Sequence, residues 1–506
     1  MDKKSLIGAI DQGTSSTRFV IFDESGNQVA SAQKEITYIA PQSGWVEEDP
    51  IEILNSVLDC VRAALNSGSI NPHDVKAIGI TNQRETTILW DKSTGLPLHN
   101  ALVWLDTRNS GICENLISKY GKDAFREVCG LPISTYFSAT KIMWLIENVP
   151  SVRTAIEKGN CLFGTVDSWL IWKLTGGVHA TDVTNASRTM LMDLTTGKWN
   201  ASLCETLSIP IQILPPIRSS SEIFGRISTI LPELQGVPIS GVVGDQQAAL
   251  IGHGCFEKGE AKNTYGTGCF MLFNTGTDKV ASTHGLLTTV GYQLGPSEPL
   301  IYALEGSIAV AGAAVKWLRD NLNVISQASD MDKLASQVKD TGGVYFVPAF
   351  SGLFAPYWRD DARGVIIGLT QYTEKTHIAR ALLEAVAFQT KEIVVAMEKD
   401  SMQKLKKLRV DGGMTASRIL LQFQSDILGI SVVRPSNSES TVFGAAYAAG
   451  LAIGLYQKQI FMEKVFPGRE QTGEIFNPQI SEEERSKRFS VWKRAVEKSF
   501  DWSNVQ

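Results

Sequence analysis

Three acidic residues of this chain stand where side chains could do chemistry. Asp11 closes a short apolar run and is followed by Gly13, Thr14, Ser15 and Ser16, with Arg18 just beyond. Arg84 and Glu85 end the stretch NQRE at 82–85, and Asp245 follows the apolar GVVG and precedes Gln246 and Gln247. A turn of glycine and hydroxyl residues gathers backbone N–H groups and hydroxyls in a small concavity, as phosphate oxygens require. Similar turns also serve ordinary hairpins. A carboxylate beside phosphate makes electrostatic sense with a cation between them, commonly Mg²⁺ held through one or two carboxylates and waters. A strand-end Asp such as Asp11 can equally be a turn former. Asp245 could take a proton from an attacking hydroxyl; its spacing suits a helix N-cap equally well. Buried, Arg84 and Glu85 could donate to and accept from vicinal hydroxyls of a polar substrate. Exposed, they would be an ordinary ion pair.

The glycine turn has companions. YGTG at 265–268 is the same kind of turn, so two such hairpins could clamp a polyphosphate from both sides. DGGMT at 411–415 adds a third, placed to open a helix over 415–428 whose N-terminal N–H groups favour an anion or nucleotide. Neither a GxxxxGK[ST] loop nor a GxGxxG opening a helix is present. Trp104 and Tyr136 could wall a pocket with an apolar face and a polar edge, or simply fill a core. The six histidines show no ligand spacing, so a metal cluster or a Ser/His/Asp hydrolase lacks support.

Elements must bring these residues together. Residues 5–11, 18–23 and 28–37 read as three strands joined by hairpin turns, 51–66 as an amphipathic helix and 75–83 as a buried strand. The resulting β-β-β-α-β order returns in the second half, where 261–277 is strand, turn, strand and 406–417 is a strand running into glycines. An α/β protein of two related lobes is expected, 1–255 and 256–506, with the boundary near 254–260 and the 215–240 stretch as loops within the first lobe.

Composition narrows the partners. The 506 residues are 43% hydrophobic and 20% charged, and a net charge of −5 gives no basic excess for nucleic acid. The seven cysteines are odd in number and form no CxxC pair, which predicts reduced thiols in a cytosol-like compartment. No run approaches the roughly 20 apolar residues of a spanning helix, the N-terminal apolar run is too short for a signal peptide, and the closing SNVQ is not a peroxisomal address. A cytoplasmic protein without membrane insertion is expected.

Several long motifs carry a resemblance. IDQGTSSTRFVIFD, IGITNQRETTILWD, NALVWLDTR, YFSATKIMWL, GVVGDQQAALIG, KNTYGTGCFML, LEGSIAVAGAAVKWLRD, RVDGGMT and STVFGAAYAAGLA resemble the FGGY carbohydrate kinase family, in particular its members that phosphorylate glycerol, over nearly the whole chain. The resemblance implies an actin-like, RNase H-like two-lobed fold with MgATP in a central cleft. It places glycerol contacts on Arg84, Glu85, Trp104, Tyr136, Asp245, Gln246 and Phe270. Nucleotide contacts fall on Thr14, Ser15, Ser16, Arg18, Thr267, Gly312, Lys316, Gly413, Met414 and Ser417. It implies Mg²⁺ near Asp11 and Asp245, with Asp245 also the catalytic base, and a homodimer or homotetramer. Ser417 and Lys316 depart from the asparagine and glutamine frequent in the family. IFGRISTILPELQGV contains neither the glycine-rich fructose 1,6-bisphosphate loop nor the phosphorylatable histidine of some bacterial members, so neither regulation is expected. A xylulose or pentitol kinase of the same fold is the nearest alternative, and a nucleotide-driven polymer or chaperone a more distant one.

Overall fold

The computed structural model describes residues 5–436 and 439–502; the SNVQ tetrapeptide, 503–506, lies outside the described residues. Strand β1 (Leu6–Gln12) is buried along almost its full length, as a continuous apolar run on a central strand should be. It turns through Gly13–Ser15 into β2 (Ser16–Phe22), and β3 (Gln28–Glu35) follows as a largely exposed edge. Helix α1 (Pro50–Ser67) starts where the Asp49 carboxylate accepts from Ile51 N and Pro50 supplies a preset φ; Ile53, Leu54, Val57 and Val61 then face the sheet side at helical spacing. Strand β4 (Val75–Asn82) returns parallel to β1.

Strands β5 (Ser221–Arg226) and β6 (Pro238–Gly244) complete a six-stranded sheet of order β5-β6-β4-β1-β2-β3. Thus 215–240 is not all loop. Its edge strand SEIFGR buries Phe224 to 2% exposure and leaves Ile223 and Arg226 exposed, so no apolar run marks it in the sequence. Helix α2 (Asp245–Gly252) leaves the end of β6.

The second lobe rebuilds the same sheet. Strands β7 (Ala261–Tyr265), β8 (Cys269–Gly276), β9 (Leu287–Tyr292) and β10 (Ile301–Ile308) come first, and helix α3 (Gly312–Asp320) follows. After the long α4 (Lys375–Ser401) come β11 (Lys407–Asp411), α5 (Arg418–Leu428), β12 (Ser431–Arg434), α6 (Ser440–Ala452) and β13 (Glu474–Phe476). The order β9-β10-β8-β7-β11-β12-β13 repeats the first sheet strand for strand and direction for direction, with β9 added at one edge. Helix α5 begins three residues later than 415, because Gly413–Ala416 forms a single 3₁₀ turn first.

Helices α2 and α6 cross at the junction of the lobes, and α6 also lies against β1, β4 and β6 of the first sheet. Glycine makes that closeness possible. A Cβ on Gly444 would stand 1.9 Å from Ala248 O, and one on Gly252 would stand 1.8 Å from Ser440 O. Two duplicated lobes packed through this crossing, with strand ends facing a shared cleft, are the actin-like arrangement that the resemblance implies.

Candidate active site

Parallel pairing puts the first lobe's reactive ends side by side. Asp11 is in register with Thr81, and Gly244 with Asn82, so Asp11, the NQRE stretch and Asp245 leave the sheet at one edge. The turn after β1 is closed by Gly13 N donating to Ser16 O at 3.0 Å. Asp11 is half-buried opposite Arg18, and its pKa is raised to about 7: burial dominates, Arg18 opposes it, and Asp245 and Glu439 add to it. A carboxylate so placed is short of positive charge. Among the described residues no group of three or more His, Cys, Asp or Glu could hold a metal ion. Two neighbouring carboxylates that leave most coordination positions to phosphate and water fit Mg²⁺.

Arg84 and Glu85 are buried, at 3% and 1% exposure, yet they do not pair with each other through their side chains' hydrogen bonds. Arg84 grips Glu305 with Nη1 and Nη2, at 2.7 and 2.9 Å, and points Nε at Asp245 Oδ1, 3.1 Å away. Glu85 Oε1 accepts from Arg188 Nε at 2.6 Å, and Arg188 Nη2 reaches Glu305 at 3.3 Å. Two guanidiniums and two carboxylates therefore form a buried chain, Glu85–Arg188–Glu305–Arg84. Burial alone would raise the Glu305 pKa, but Arg188 and Arg84 outweigh it and hold it down to about 2. Glu85 sits at φ +60°, a strained setting for a side-chain residue, and its carbonyl is held by the Ser138 and Thr87 hydroxyls.

Beside this chain of ions stand the aromatic walls. Trp104 packs on Tyr136 with centroids 5.5 Å apart and on Phe270 at 6.0 Å, while its Nε1 donates to Thr14 Oγ1 at 3.0 Å. One side chain thus touches the first hairpin and the strand that leaves the second. Asp245 opens helix α2 as its first residue, with Gly244 at the N-cap position, so the capping alternative is not the one adopted. Its Oδ1 takes Gln246 N at 2.7 Å as well as Arg84, whereas Oδ2 has only the Gln246 amide at 3.2 Å. Buried Lys262 donates to Gln246 Oε1 and to Thr264 Oγ1. Burial lowers its pKa to about 8, with Asp411 and Asp245 opposing the shift.

Sequence reasoning gave no role to Arg188, Glu305 or Lys262. Glu305 carries a signal, a charge inside the otherwise apolar strand IYALEGSI, whereas Arg188 in TNASRTM and Lys262 in AKNTY stand among polar neighbours and carry none.

The second lobe holds a cavity of about 530 Å³. Thr267, Gly312, Lys316, Gly413, Met414 and Ser417 all line it. Thr267 O accepts from Ala311 N and Ala313 N, both at 3.0 Å, which ties the YGTG turn to the start of α3. Ser417 also supports the fold, because its hydroxyl accepts from Leu420 N and caps α5. Thr14, Ser15, Ser16 and Arg18 lie outside this cavity, on the first hairpin; Arg18 bonds Glu439 at 3.1 Å, and Ser16 accepts from Gln33 at 3.0 Å.

This combination of duplicated sheets, acidic strand ends and glycine-lined cavity has relatives. The profile of the FGGY family of carbohydrate kinases, N-terminal domain, matches residues 6–252, and that of the C-terminal domain matches 261–453. The chain belongs to the FGGY family of carbohydrate kinases. It is 54% identical over 501 residues to a glycerol kinase of Brucella anthropi, covering 98% of this chain and 99% of that protein. A glycerol kinase of Arabidopsis thaliana is 52% identical over 521 residues, with 99% of each covered. The crystal structure of Plasmodium falciparum glycerol kinase with ADP superposes with a TM-score of 0.92 at 42% identity, covering 98% of each chain. A gluconate kinase from Lactobacillus acidophilus, 21% identical with a TM-score of 0.85, covering 99% of this chain and 100% of that one, shares the fold.

Proposed function

We propose that the chain transfers the γ-phosphoryl group of ATP to a terminal hydroxyl of glycerol, giving sn-glycerol 3-phosphate and ADP. The observation that carries this reading is the cluster that Trp104 forms with Tyr136 and Phe270, together with buried Arg84 pointing Nε at the Asp245 carboxylate. Full-length identity of 52–54% to glycerol kinases supports the acceptor, and the relative solved with ADP supports the nucleotide.

Glycerol would rest its carbon chain on the three aromatic faces. Its hydroxyls would meet Arg84, the free Oε2 of Glu85 and Gln246, which fixes the reacting oxygen beside Asp245. Asp245 Oδ1 is held by two donors, so Oδ2 is the oxygen left to accept the hydroxyl proton as that oxygen attacks phosphorus. The adenosine would occupy the second-lobe cavity against Gly312, Lys316, Gly413, Met414 and Ser417. Its phosphates would extend toward Thr267 and toward the opposite turn of Thr14, Ser15, Ser16 and Arg18, whose N–H groups, hydroxyls and guanidinium offset charge in the transition state. Mg²⁺, held near Asp11 and Asp245, would supply charge neutralisation between the phosphate oxygens and these carboxylates when bound. Drawing the lobes together would exclude water as a competing acceptor.

The domain division at 1–255 and 256–506 assigns the acceptor to the first lobe and the adenosine to the second. Buried, unpaired cysteines support a reducing, cytoplasmic setting, and no helix among the described residues is long and apolar enough to cross a membrane. The family resemblance supports a homodimer or homotetramer, which light scattering would check. The reading is tested by incubating the purified chain with MgATP and glycerol and following phosphorus by NMR. One phosphomonoester on the terminal carbon per ADP is expected. Release of inorganic phosphate at a rate indifferent to glycerol would overturn the reading and favour a nucleotide-driven polymer or chaperone.

A further inference from the structure

Two buried amides with no part in the transfer described above converge on the first hairpin. Gln12, the last residue of β1, and Gln83, the first beyond β4, are 0% and 1% exposed. Gln12 Nε2 donates to Gly13 O at 2.8 Å. A carbonyl oxygen only accepts, so this bond fixes which way the Gln12 amide lies and turns its Oε1 to Gln83. Gln83 meets it with Nε2, which reaches Gln12 Oε1 at 3.3 Å and Glu48 Oε2 at 2.7 Å, one hydrogen for each. Its own Oε1 accepts from the Thr86 hydroxyl at 2.9 Å, and its backbone N donates to Gln12 O at 2.8 Å. Every amide in this chain therefore has one orientation that satisfies it.

In a trans peptide the C=O and N–H point to opposite sides, and the one cis bond among the described residues is Ala355–Pro356. Holding Gly13 O against Gln12 therefore sends the Thr14 N–H the other way, and among the described residues no acceptor takes it. The second hairpin reaches the same result with backbone alone. Gly266 O accepts from Gly312 N at 3.0 Å, and the Thr267 N–H that follows likewise has no acceptor among the described residues. Two turns of different closure thus tether the carbonyl of the first glycine and leave the next threonine's N–H free. We infer, resting on the reading of the two hairpins as the phosphate grip, that Gln12 is a positioning residue: its amide, braced by Gln83, keeps the Thr14 N–H aimed at the nucleotide's terminal phosphates. A Gly13–Thr14 peptide released from Gln12 can rotate and present its carbonyl, the negative end of its dipole, to those phosphates instead.

The test compares the parent with Gln12→Met, which keeps the length of the side chain and removes its donor. Glycerol-dependent kcat and the glycerol KM are measured, and calorimetry follows binding of adenosine and of the Mg²⁺ complex of the β,γ-imido analogue of ATP. In Gln12→Met kcat is expected to fall about 100-fold, the scale of losing one preorganised donor. Affinity for the imido analogue should fall about tenfold, as for one hydrogen bond to a charged group. Adenosine affinity and the glycerol KM should stay near parental, a split that general damage to the fold would not produce. Parental kcat in folded Gln12→Met, or an equal loss of affinity for adenosine and for the imido analogue, overturns the inference. Should Gln12→Met fail to fold, Gln83→Met takes away the N–H that holds Gln12 Oε1. A smaller kcat loss with adenosine affinity kept is then expected, and parental kcat in Gln83→Met overturns the inference. A parent that forms no glycerol phosphate would instead refute the proposed function, which keeps the two failures apart.

Discussion

The two lobes share a sheet and differ in what leaves it. Strand β1 has Asp11 as its last residue but one, before Gly13-Thr14, and its counterpart β7 has Thr264 before Gly266-Thr267. Beyond β4 come Gln83, Arg84 and Glu85; beyond β11 come Gly412, Gly413 and Met414. The first lobe therefore crowds ions at its strand ends, whereas the second empties the same positions into a cavity of about 530 Å³. Each hairpin is closed by its first glycine's N–H, Gly13 donating to Ser16 O three residues on and Gly266 to Gly268 O two residues on, so the second turn is one residue tighter. Duplication preserved the turns that suit phosphate and let the flanking residues specialise, one side for an acceptor hydroxyl and the other for a nucleotide.

The sharpest way to break this division is Asp245→Asn. The amide cannot take the proton, so kcat with glycerol should fall by about 10²–10⁴-fold, while calorimetry should find ADP binding unchanged because the cavity lies on the other lobe. Loss of ADP binding in the same variant would mean that the lobes do not divide the work in this way.

The crossing of α2 and α6 belongs to both lobes, and damage there should not discriminate between them. Gly444→Ala would drive a Cβ to 1.9 Å from Ala248 O. Overpacking of this kind is expected to lower stability by about 3 kcal/mol, read as a lower urea midpoint with unchanged slope. A variant as stable as the parent would show that the two helices can move apart.

Within the second lobe, two glycines sharpen the comparison. A Cβ on Gly312 would stand 2.6 Å from Gly266 O, while one on Gly413 would meet nothing within 4 Å. Gly312→Ala should raise the KM for ATP roughly tenfold, the equivalent of about 1.4 kcal/mol of overpacking, with the glycerol KM little changed. Gly413→Ala should leave both nearly as they are. Equal effects of the two substitutions would mean that the close approach of Gly312 does not shape the nucleotide cavity.

The smallest expected effect concerns Cys269, which follows the second turn where the first lobe has Ser16. It is 1% exposed, and burial pushes its thiol pKa well up. A disulfide reagent such as DTNB should label no thiol of the native protein and leave activity intact; rapid labelling with inactivation would show that the turn opens.

Much of this was legible in the sequence because it is local. An apolar strand running into Gly-Thr, a helix announced by Asp49-Pro50, and glycines after β11 each declare themselves within a few residues. The family resemblance then gathered Trp104, Tyr136 and Phe270, whose rings do meet. The chain of buried ions was not legible. Arg84 and Glu85 are adjacent and read as a pair, yet their side chains take separate partners, Glu305 and Arg188, which lie 221 and 103 residues away from them. Adjacent residues generally face apart, and only folding supplies the partners. The edge strand β5 was missed for a different reason, since a strand paired on one side needs little apolar sequence.

The most direct test of the central claim is kcat/KM for ADP release from MgATP with glycerol, dihydroxyacetone, xylulose, xylitol and gluconate as acceptors. The contacts of Trp104 with Tyr136 and Phe270, beside fixed buried ions, predict glycerol as the best acceptor, with the five- and six-carbon compounds far behind. A five- or six-carbon acceptor turned over better than glycerol would keep the fold and contradict the assignment of the first lobe's pocket.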